Sequence, residues 1–380
     1  MLAFALAASV VASVPQARPP LEFGSDVRMI RLDVSVVDGK GRPIVGLGAS
    51  DFQVFEDGKR VEVALFEAVQ DGAPQTATPT GDGGLVVEPG PRLDRRILLL
   101  VDTGAMSRGQ LQRARDGAAR FVREAARDGD WVRLVNLSTG EAWDGSVPED
   151  RAALASVARR LLPGGSAWAG GNPADGIQTS DTRGGRTSGI TQTSEGRAGV
   201  ATETTTSGQF LSIFAQAAGL LGTLEALLLE LDGVEGRKAV VLVSPGFPQL
   251  LGLDARLQKV ASLARLAATT VYFVDAAGLD DLAPEPGGKM MPAFETAWSR
   301  SGGAMDLAVA TGGFTSRFSN SLLPALARVG SEMRSYYVVG YLPPRPDDGR
   351  FRTVQVKVDA AGATARTKKG YLAGRRRKLP

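Results

Sequence analysis

Two short loops with carboxylate or hydroxyl side chains follow apolar runs that are typical of buried parallel strands. The first loop, Asp102–Ser107, follows Ile97–Val101, and the second, Ser244–Phe247, follows Ala239–Val243. Ligands of α/β sheets bind beyond the carboxyl ends of the strands, so we expect both loops at one edge. Their oxygen atoms suit a hard cation such as Mg²⁺. The candidate binding surface consists of Asp102, Thr103, Gly104, Ser107, Ser244, Gly246 and Phe247.

The composition removes several catalytic classes. The 380 residues include no His and no Cys. Their absence excludes Ser-His-Asp and Cys-His mechanisms, zinc sites built on imidazole, disulfides and iron–sulfur clusters. Lys and Arg number 44 and Asp and Glu number 41, and the net charge of +3 does not imply a nucleic-acid partner. Carboxylate chemistry, hard-cation sites and pure binding remain.

A carboxylate-based hydrolase is one alternative. Asp275 follows the apolar run Thr270–Val274, and Asp280, Asp281 and Glu285 come shortly after it. Two carboxylates about 5 to 9.5 Å apart across a cleft would hydrolyse a glycosidic bond. Adjacent aspartates followed by prolines are more simply a solvated turn, so a protein without enzymatic activity is the preferred interpretation.

The apolar pattern between residues 94 and 333 predicts the domain that positions these loops. Strands alternate with amphipathic helices, which predicts an α/β domain with a doubly wound, mostly parallel sheet. Ser107 is placed to cap the first helix. Residues 163–209 are rich in Gly, Ser and Thr, and we expect a low-complexity insertion there. The predicted strands are Ile97–Val101, Trp131–Leu137, Ala239–Val243 and Thr270–Val274, and the predicted later helices are Asp150–Leu162 and Leu253–Ala268.

Both flanks of this domain read as β-structure. Residues 25–70 predict an N-terminal β module, and residues 334–373 predict C-terminal strands, the last of them at 364–372. Residues 71–93 show little periodicity and predict a linker. Neither flank has enough strands to be stable alone, so we expect the two to pair into one β-sandwich-like module.

Residues 1–20 and 374–380, at the two ends of the sequence, are not expected to belong to the folded domains. Residues 1–20 begin with an apolar run of signal-peptide length, which predicts export and a periplasmic or secreted location. Residues 374–380 form a basic tail without interleaved aromatic residues, so we expect a solvated tail and no nucleic acid.

The apolar stretch Phe210–Leu231 carries a polar stripe at helical spacing, which predicts a mostly buried helix and not a transmembrane segment.

The loop after the first strand resembles the metal-ion-dependent adhesion site of von Willebrand factor A domains, whose motif is Asp-x-Ser-x-Ser. Asp102 matches the aspartate, but Gly104 and Met106 occupy the two serine positions. The family's second aspartate follows the fourth strand, where this chain has Pro245. The resemblance implies the von Willebrand factor A, Rossmann-like fold and a degenerate site, in which only Asp102 and Ser107 would hold Mg²⁺.

Five separated segments resemble the bacterial VWFA-related family in the correct order. Three of them also have a structural explanation, because Asp57-Gly58 makes a hairpin turn, Thr311–Gly313 ends a helix with Gly in the left-handed conformation, and the tyrosines of Tyr336–Tyr341 pack across strands. The segments are Gly46–Gly58, Gly236–Ala239, Thr311–Gly313, Tyr336–Tyr341 and Lys369–Tyr371.

The resemblance implies an exported protein, and the function that we favour is non-enzymatic binding of a protein partner. Phe247 would anchor that partner if it is exposed, or belong to the core. The first alternative is a divalent-cation-dependent adhesion module that uses Asp102, and the second is the carboxylate-based hydrolase that uses Asp275 or its neighbours.

Overall fold

The computed structural model describes residues 29–79, 85–163, 198–250, 252–279 and 300–374. The predicted signal peptide, residues 164–197 of the predicted insertion and the tail beyond Gly374 lie outside these ranges. The strands are β1 (Ile30–Val37), β2 (Phe52–Glu56), β3 (Lys59–Val61), β4 (Leu65–Gln70), β5 (Ala73–Pro79), β6 (Leu85–Pro89), β7 (Arg95–Val101), β8 (Asp130–Asn136), β9 (Ala142–Ser146), β10 (Arg237–Ser244), β11 (Thr269–Asp275), β12 (Thr315–Ser316), β13 (Tyr336–Tyr341), β14 (Phe351–Val358), β15 (Thr364–Arg366) and β16 (Gly370–Leu372). The helices are α1 (Arg108–Arg120), α2 (Arg151–Arg159), α3 (Ala198–Glu230), α4 (Asp254–Leu266), α5 (Gly302–Thr311) and α6 (Leu323–Arg334).

The predicted apolar strands form one largely parallel sheet, which we call the parallel sheet. Its order is β12-β11-β10-β7-β8-β9, and only β9 runs antiparallel to its neighbour. Leu99 and Val101 pack with α1, α2 and α6, whereas Leu98 and Leu100 pack with α3, α4 and α5. Helices therefore cover both faces, which is why Ile97–Val101 of β7 is a continuous apolar run. The mixed α/β class is confirmed.

The predicted pairing of the two flanks is also confirmed. β1 pairs antiparallel with β13, and β2 pairs antiparallel with β14. The resulting sheets have the orders β15-β1-β13-β4-β5-β6 and β16-β14-β2-β3. Leu32 and Val339 of the first sheet share one apolar core with Val54 and Val356 of the second. We call these two sheets the β module.

The prediction of a linker over residues 71–93 is wrong. β5 and β6 pair with each other, and β5 pairs with β4, so this segment extends the six-stranded sheet of the β module. Asp71 and Gly72 both have positive φ values, 49° and 83°, which reverses the chain after β4. Strands at the edge of a sheet pair through backbone hydrogen bonds and do not require an apolar run. The hydrophobic periodicity of the sequence therefore does not reveal them.

The single last strand predicted at 364–372 is two short strands. β15 pairs with β1 in one sheet of the β module, and β16 pairs with β14 in the other. The residues between them carry the chain from one sheet to the other beside Gly312, which has a φ of 86° and ends α5 in the left-handed conformation. The crossing from one sheet to the other explains why the one predicted strand is two.

The apolar stretch at 210–231 lies within α3, as a helix was predicted there. Leu211–Glu230 is the one described helix that is long and apolar enough to cross a membrane, with a mean hydropathy of 1.6 and 28% of it buried. It is thus less buried than the polar stripe predicts. Leu224 and Leu228 pack on the parallel sheet, and Glu225 accepts hydrogen bonds from Arg256 and Lys259 of α4.

Candidate functional site

Four strands of the parallel sheet deliver their last residues to one edge, which we call the carboxyl edge. In the strand register, Val101 lies opposite both Val243 and Asn136, and Ser244 lies opposite Asp275. The two predicted loops therefore meet, as parallel pairing requires. The carboxyl edge brings the Asp102 and Ser244 loops beside the end of β8.

Asp102 is buried and bonded to the second loop. Its side chain is only 5% exposed, and its Oδ2 accepts a hydrogen bond of 2.9 Å from the Ser244 hydroxyl. The same hydroxyl oxygen accepts the backbone N–H of Gly246 at 2.9 Å. Burial raises the pKa of Asp102, and the hydrogen bonds from Ser244 and the Ala105 amide partly oppose this shift. Asp102 and Ser244 thus fix each other across two loops.

Thr103 and Gly104 are tied to the end of β8. The Thr103 hydroxyl donates to Asn136 Oδ1 at 2.7 Å, and the Gly104 N–H donates to the Ser138 hydroxyl at 2.5 Å. Asn136 in turn donates to the carbonyl of Leu162 at 3.0 Å. A Cβ built on Gly104 would lie 2.6 Å from Ser138 Oγ, so a serine at this position would displace Ser138.

Ser107 has the structural role that was predicted for it. Its hydroxyl accepts the N–H of Gln110, and the Gln110 side chain accepts the Ser107 N–H, which forms a capping box on α1. Met106, at the position of the second motif serine, is 5% exposed and belongs to the core. The first loop therefore does not bring a second hydroxyl to Asp102.

A narrow cleft lies beside Asp102. Its polar lining side chains are Asp102, Gln216 and Arg300, and its apolar wall includes Leu220 and Phe247. The space inside is about 20 Å³, which is room for one water molecule. Phe247 is 5% exposed and packs in the core, so the alternative in which it anchors a partner is not what the structure shows.

Asp275 is held by structural partners. It is 3% exposed, its Oδ1 accepts the N–H of Ala277 at 2.8 Å, and its Oδ2 lies 3.6 Å from Arg317 Nε. Asp280, Asp281 and Glu285 lie outside the described residues. Within the described ranges, no group of three or more Asp, Glu, His or Cys side chains is arranged to hold a metal ion.

Asn136, Ser138, Gln216 and Arg300 are residues of this region that sequence reasoning missed. Asn136 ends β8 and receives both the Thr103 hydroxyl and the Ser138 N–H. Its place after an apolar strand is the same signal that identified Asp102. Gln216 and Arg300 reach the cleft from α3 and from the residues before α5, and no local signal connects them with it.

Three of the five family-like segments meet at one buried carboxylate in the β module. Glu56 is 1% exposed, and its Oε2 accepts the hydroxyls of Tyr341 at 2.9 Å and of Tyr371 at 2.8 Å. Asp57, with a φ of 46°, makes the predicted turn between β2 and β3 and accepts the N–H of Thr353. These tyrosines therefore bind a carboxylate as well as packing across strands.

The other two segments lie where the parallel sheet meets the β module. Arg237 donates to the Ser35 hydroxyl at 3.2 Å. Gly312 lies against the backbone of Thr367, between β15 and β16, and Gly313 lies so close to β11 that a Cβ on it would overlap the carbonyl oxygen of Val271. The five segments thus have structural positions, and none of them lies at the carboxyl edge.

The chain was compared with known proteins by family and by sequence. No protein-family model matches it, and no curated protein matches it in sequence. Its function therefore has to be argued from the residues of the carboxyl edge and from the fold that holds them.

Proposed function

We propose that this chain is an exported, non-enzymatic protein-interaction module of von Willebrand factor A type, related to the bacterial VWFA-related family. In this proposal the helices on both faces of the parallel sheet form a doubly wound fold, and the carboxyl edge is a degenerate metal-ion-dependent adhesion site. The apolar run at Met1–Val14 supports export.

The observation that carries the proposal is the closed hydrogen-bond network of the carboxyl edge. The Ser244 hydroxyl binds Asp102, the Thr103 hydroxyl binds Asn136, and the Ser107 hydroxyl caps α1. Protein sites for hard cations need several oxygen ligands around the ion. Here the oxygens engage one another instead, so the loops have a fixed shape without an ion. A surface of fixed shape loses little conformational entropy when it binds a partner, which suits recognition of a protein.

Exposed leucines around the carboxyl edge supply the apolar contacts that a protein partner needs. Leu162, whose carbonyl binds Asn136, is 56% exposed, and Leu279, four residues after Asp275, is 47% exposed. Leu211 is 65% exposed on α3, two residues before Ile213 in the wall of the cleft. In this proposal the three leucines belong to one apolar surface, and contiguous apolar patches with a polar rim mark protein-interaction sites.

The partner surface is tested by cross-linking in cells of the producing organism, followed by purification of the tagged full chain. Leu162, Leu211 and Leu279 are replaced together by Ser. A matched control replaces the exposed Val45, Leu342 and Leu372 of the β module by Ser. We expect the first variant to lose a cross-linked partner at least about tenfold, because truncating central contacts costs about 1.4 kcal/mol or more. Equal capture by all three chains, or capture by none, contradicts the proposal.

The cation-dependent adhesion module has one observation in its favour, the cleft beside Asp102. Melting of the full chain in EDTA and then in millimolar Mg²⁺, Mn²⁺ or Ca²⁺ separates the two functions. The proposal predicts the same Tm in all four solutions. A cation at 100 times its Kd would add about 2.7 kcal/mol of stability, and such a shift, lost in Asp102→Ala, would establish the adhesion site.

A further inference from the structure

A buried charged cluster lies where the parallel sheet meets the β module. Arg237, the first residue of β10, has a side chain that is 2% exposed. Its Nη2 donates to Ser35 Oγ at 3.2 Å, and its guanidinium lies 3.7 Å from the centre of the Tyr336 ring. Its Nη1 lies 3.7 Å from Asp33 Oδ2. The Arg237 guanidinium, which belongs to the parallel sheet, therefore contacts residues of the β module.

A second guanidinium comes to the same place from β15. Arg366 pairs with Ser35 in the strand register, and Ser35 is the residue that Arg237 contacts. Arg366 Nη2 donates to Oε1 of Glu332, a residue of α6 that is fully buried. Arg328 Nε donates to the same oxygen at 2.9 Å. One buried carboxylate thus faces guanidinium groups that arrive from two elements.

The hydroxyl of Tyr272, on β11, completes the cluster. The side chain is fully buried, and its hydroxyl is close enough to Glu332, Arg237 and Arg366 to sense all three charges. Burial raises the pKa of Tyr272 to about 12, the Glu332 charge adds to this shift, and the two arginine charges oppose it. The phenol is therefore protonated and can donate a hydrogen bond.

The cluster has an excess of hydrogen-bond donors. Nε and Nη1 of Arg237 and Nε and Nη1 of Arg366 make no hydrogen bond of good geometry in the part of the chain that the structure describes. The Tyr272 oxygen interacts with the Arg237 guanidinium, and the Tyr272 O–H itself has no acceptor of good geometry among the described residues. The matching acceptor without a partner is Oε2 of Glu332. Buried donors are normally satisfied by protein groups, by water or by an ion. A water molecule that accepts from these donors brings hydrogens that need acceptors of their own, whereas an anion only accepts.

The cluster also has an excess of positive charge. Arg237 and Arg366 have side chains that are 2% and 16% exposed, and the one carboxylate buried with them is Glu332. Asp33, which pairs with Arg237, and Arg328, which pairs with Glu332, stand at the rim, 36% and 30% exposed. The three guanidiniums therefore face two carboxylates, and one positive charge of the cluster has no carboxylate of its own, whereas buried charges are normally paired.

We propose that Arg237, Arg366 and Tyr272 bind a monovalent inorganic anion of the size of chloride at this junction. The anion accepts the unpaired N–H and O–H groups and balances the remaining charge. It thereby joins the parallel sheet to the β module.

The test is a melting series of the full chain in which sodium chloride replaces sodium gluconate at constant ionic strength. We expect Tm to rise with chloride and to saturate, with a total rise of at least about 3 °C. Arg366→Gln should abolish the rise. Arg31→Gln removes the same charge from an exposed arginine that pairs with Glu67, and it should keep the rise.

Crystals of the wild-type chain grown in sodium bromide keep the proposal testable if Arg366→Gln fails to fold. We expect an anomalous bromide peak between the Arg237 and Arg366 guanidiniums. A wild-type Tm that does not respond to chloride, a response that survives in Arg366→Gln, or a junction without bromide would each overturn the proposal.

Discussion

Replacing Tyr341 or Tyr371 by Phe removes one hydroxyl from the buried Glu56 carboxylate and leaves the ring in place. Both hydroxyls donate to Oε2, at 2.9 and 2.8 Å. Hydrogen bonds to charged groups contribute about 1.5 to 3 kcal/mol. We therefore expect each single substitution to lower the free energy of unfolding by about 2 kcal/mol. Burial, together with the nearby Glu56, also raises the pKa of both tyrosines, so neither hydroxyl ionises at neutral pH.

The double variant should cost more than the sum of the single ones. After one substitution the other hydroxyl still satisfies Oε2 of Glu56. After both, that oxygen has no hydroxyl donor, while Oε1 keeps its hydrogen bond from Arg345 at 3.2 Å. Residues that share one partner usually show interaction energies of 0.5 to 3 kcal/mol. We expect a coupling of about 1 kcal/mol in this direction.

The assay is urea unfolding followed by far-UV circular dichroism, with tryptophan fluorescence as a second probe. Trp131 on β8 and Trp143 on β9 report the parallel sheet, whereas Trp168 and Trp298 lie outside the described residues. Tyr337→Phe on the same strand is the matched control. The Tyr337 hydroxyl contacts only neutral backbone groups, those of Ile44 and Leu47, in the described structure. Its loss should cost about 1 kcal/mol.

Two results would refute this reasoning about Glu56. If Tyr341→Phe and Tyr371→Phe each cost no more than Tyr337→Phe, then the carboxylate is not held as a buried charge. If the double variant is additive within about 0.3 kcal/mol, then the two hydroxyls do not share one oxygen as the structure shows.

Three further predictions concern the tyrosines, the carboxyl edge and a close glycine contact. Burial is the largest cause that raises the pKa of all five tyrosines, and the unfolded chain ionises them near pH 10. Stability should therefore fall above pH 10 by up to about 1.4 kcal/mol per pH unit and tyrosine, and phenolate absorbance should appear at a higher pH in the folded chain than in the unfolded chain. Burial raises the pKa of Asp102, so ionisation of its carboxyl group lowers the free energy of unfolding as the pH rises above about 4. Asp102→Asn should therefore have a higher Tm than wild type at pH 7 and the same Tm near pH 3. A lower Tm of the variant at pH 7 would contradict this. Gly313→Ala should cost at least about 3 kcal/mol in urea unfolding, because its Cβ overlaps Val271 O, whereas Gly219→Ala on α3 has open space and should gain up to about 1 kcal/mol; equal stabilities would refute the contact.

Much of the fold could be predicted from local patterns. The apolar runs at Ile97–Val101 and Ala239–Val243 became β7 and β10, since strands covered on both faces must be apolar throughout. The pairing of the flanks followed from their strand counts. β5 and β6 could not be predicted, because their pairing with each other and with β4 rests on backbone hydrogen bonds, which leave no apolar periodicity in the sequence.

The candidate site shows the same division. The position of Asp102 and Ser244 after apolar strands predicted that they share an edge, and the structure places them in contact. That Ser107 caps a helix also followed from sequence. The burial of Phe247 did not, because a phenylalanine in a loop fits a core or a surface equally well.

The sequence by itself determined which segments alternate between strand and helix, and which residue types stand at the strand ends. Only the tertiary structure decided which oxygen atoms of those residues are already engaged in hydrogen bonds with other side chains. Asp102 is bound by a serine 142 residues away, and Glu56 by tyrosines 285 and 315 residues away. Local patterns record the burial of a segment, since neighbours along the chain share it. They do not record hydrogen bonds between distant side chains, because those depend on how the sheets bring separate segments together.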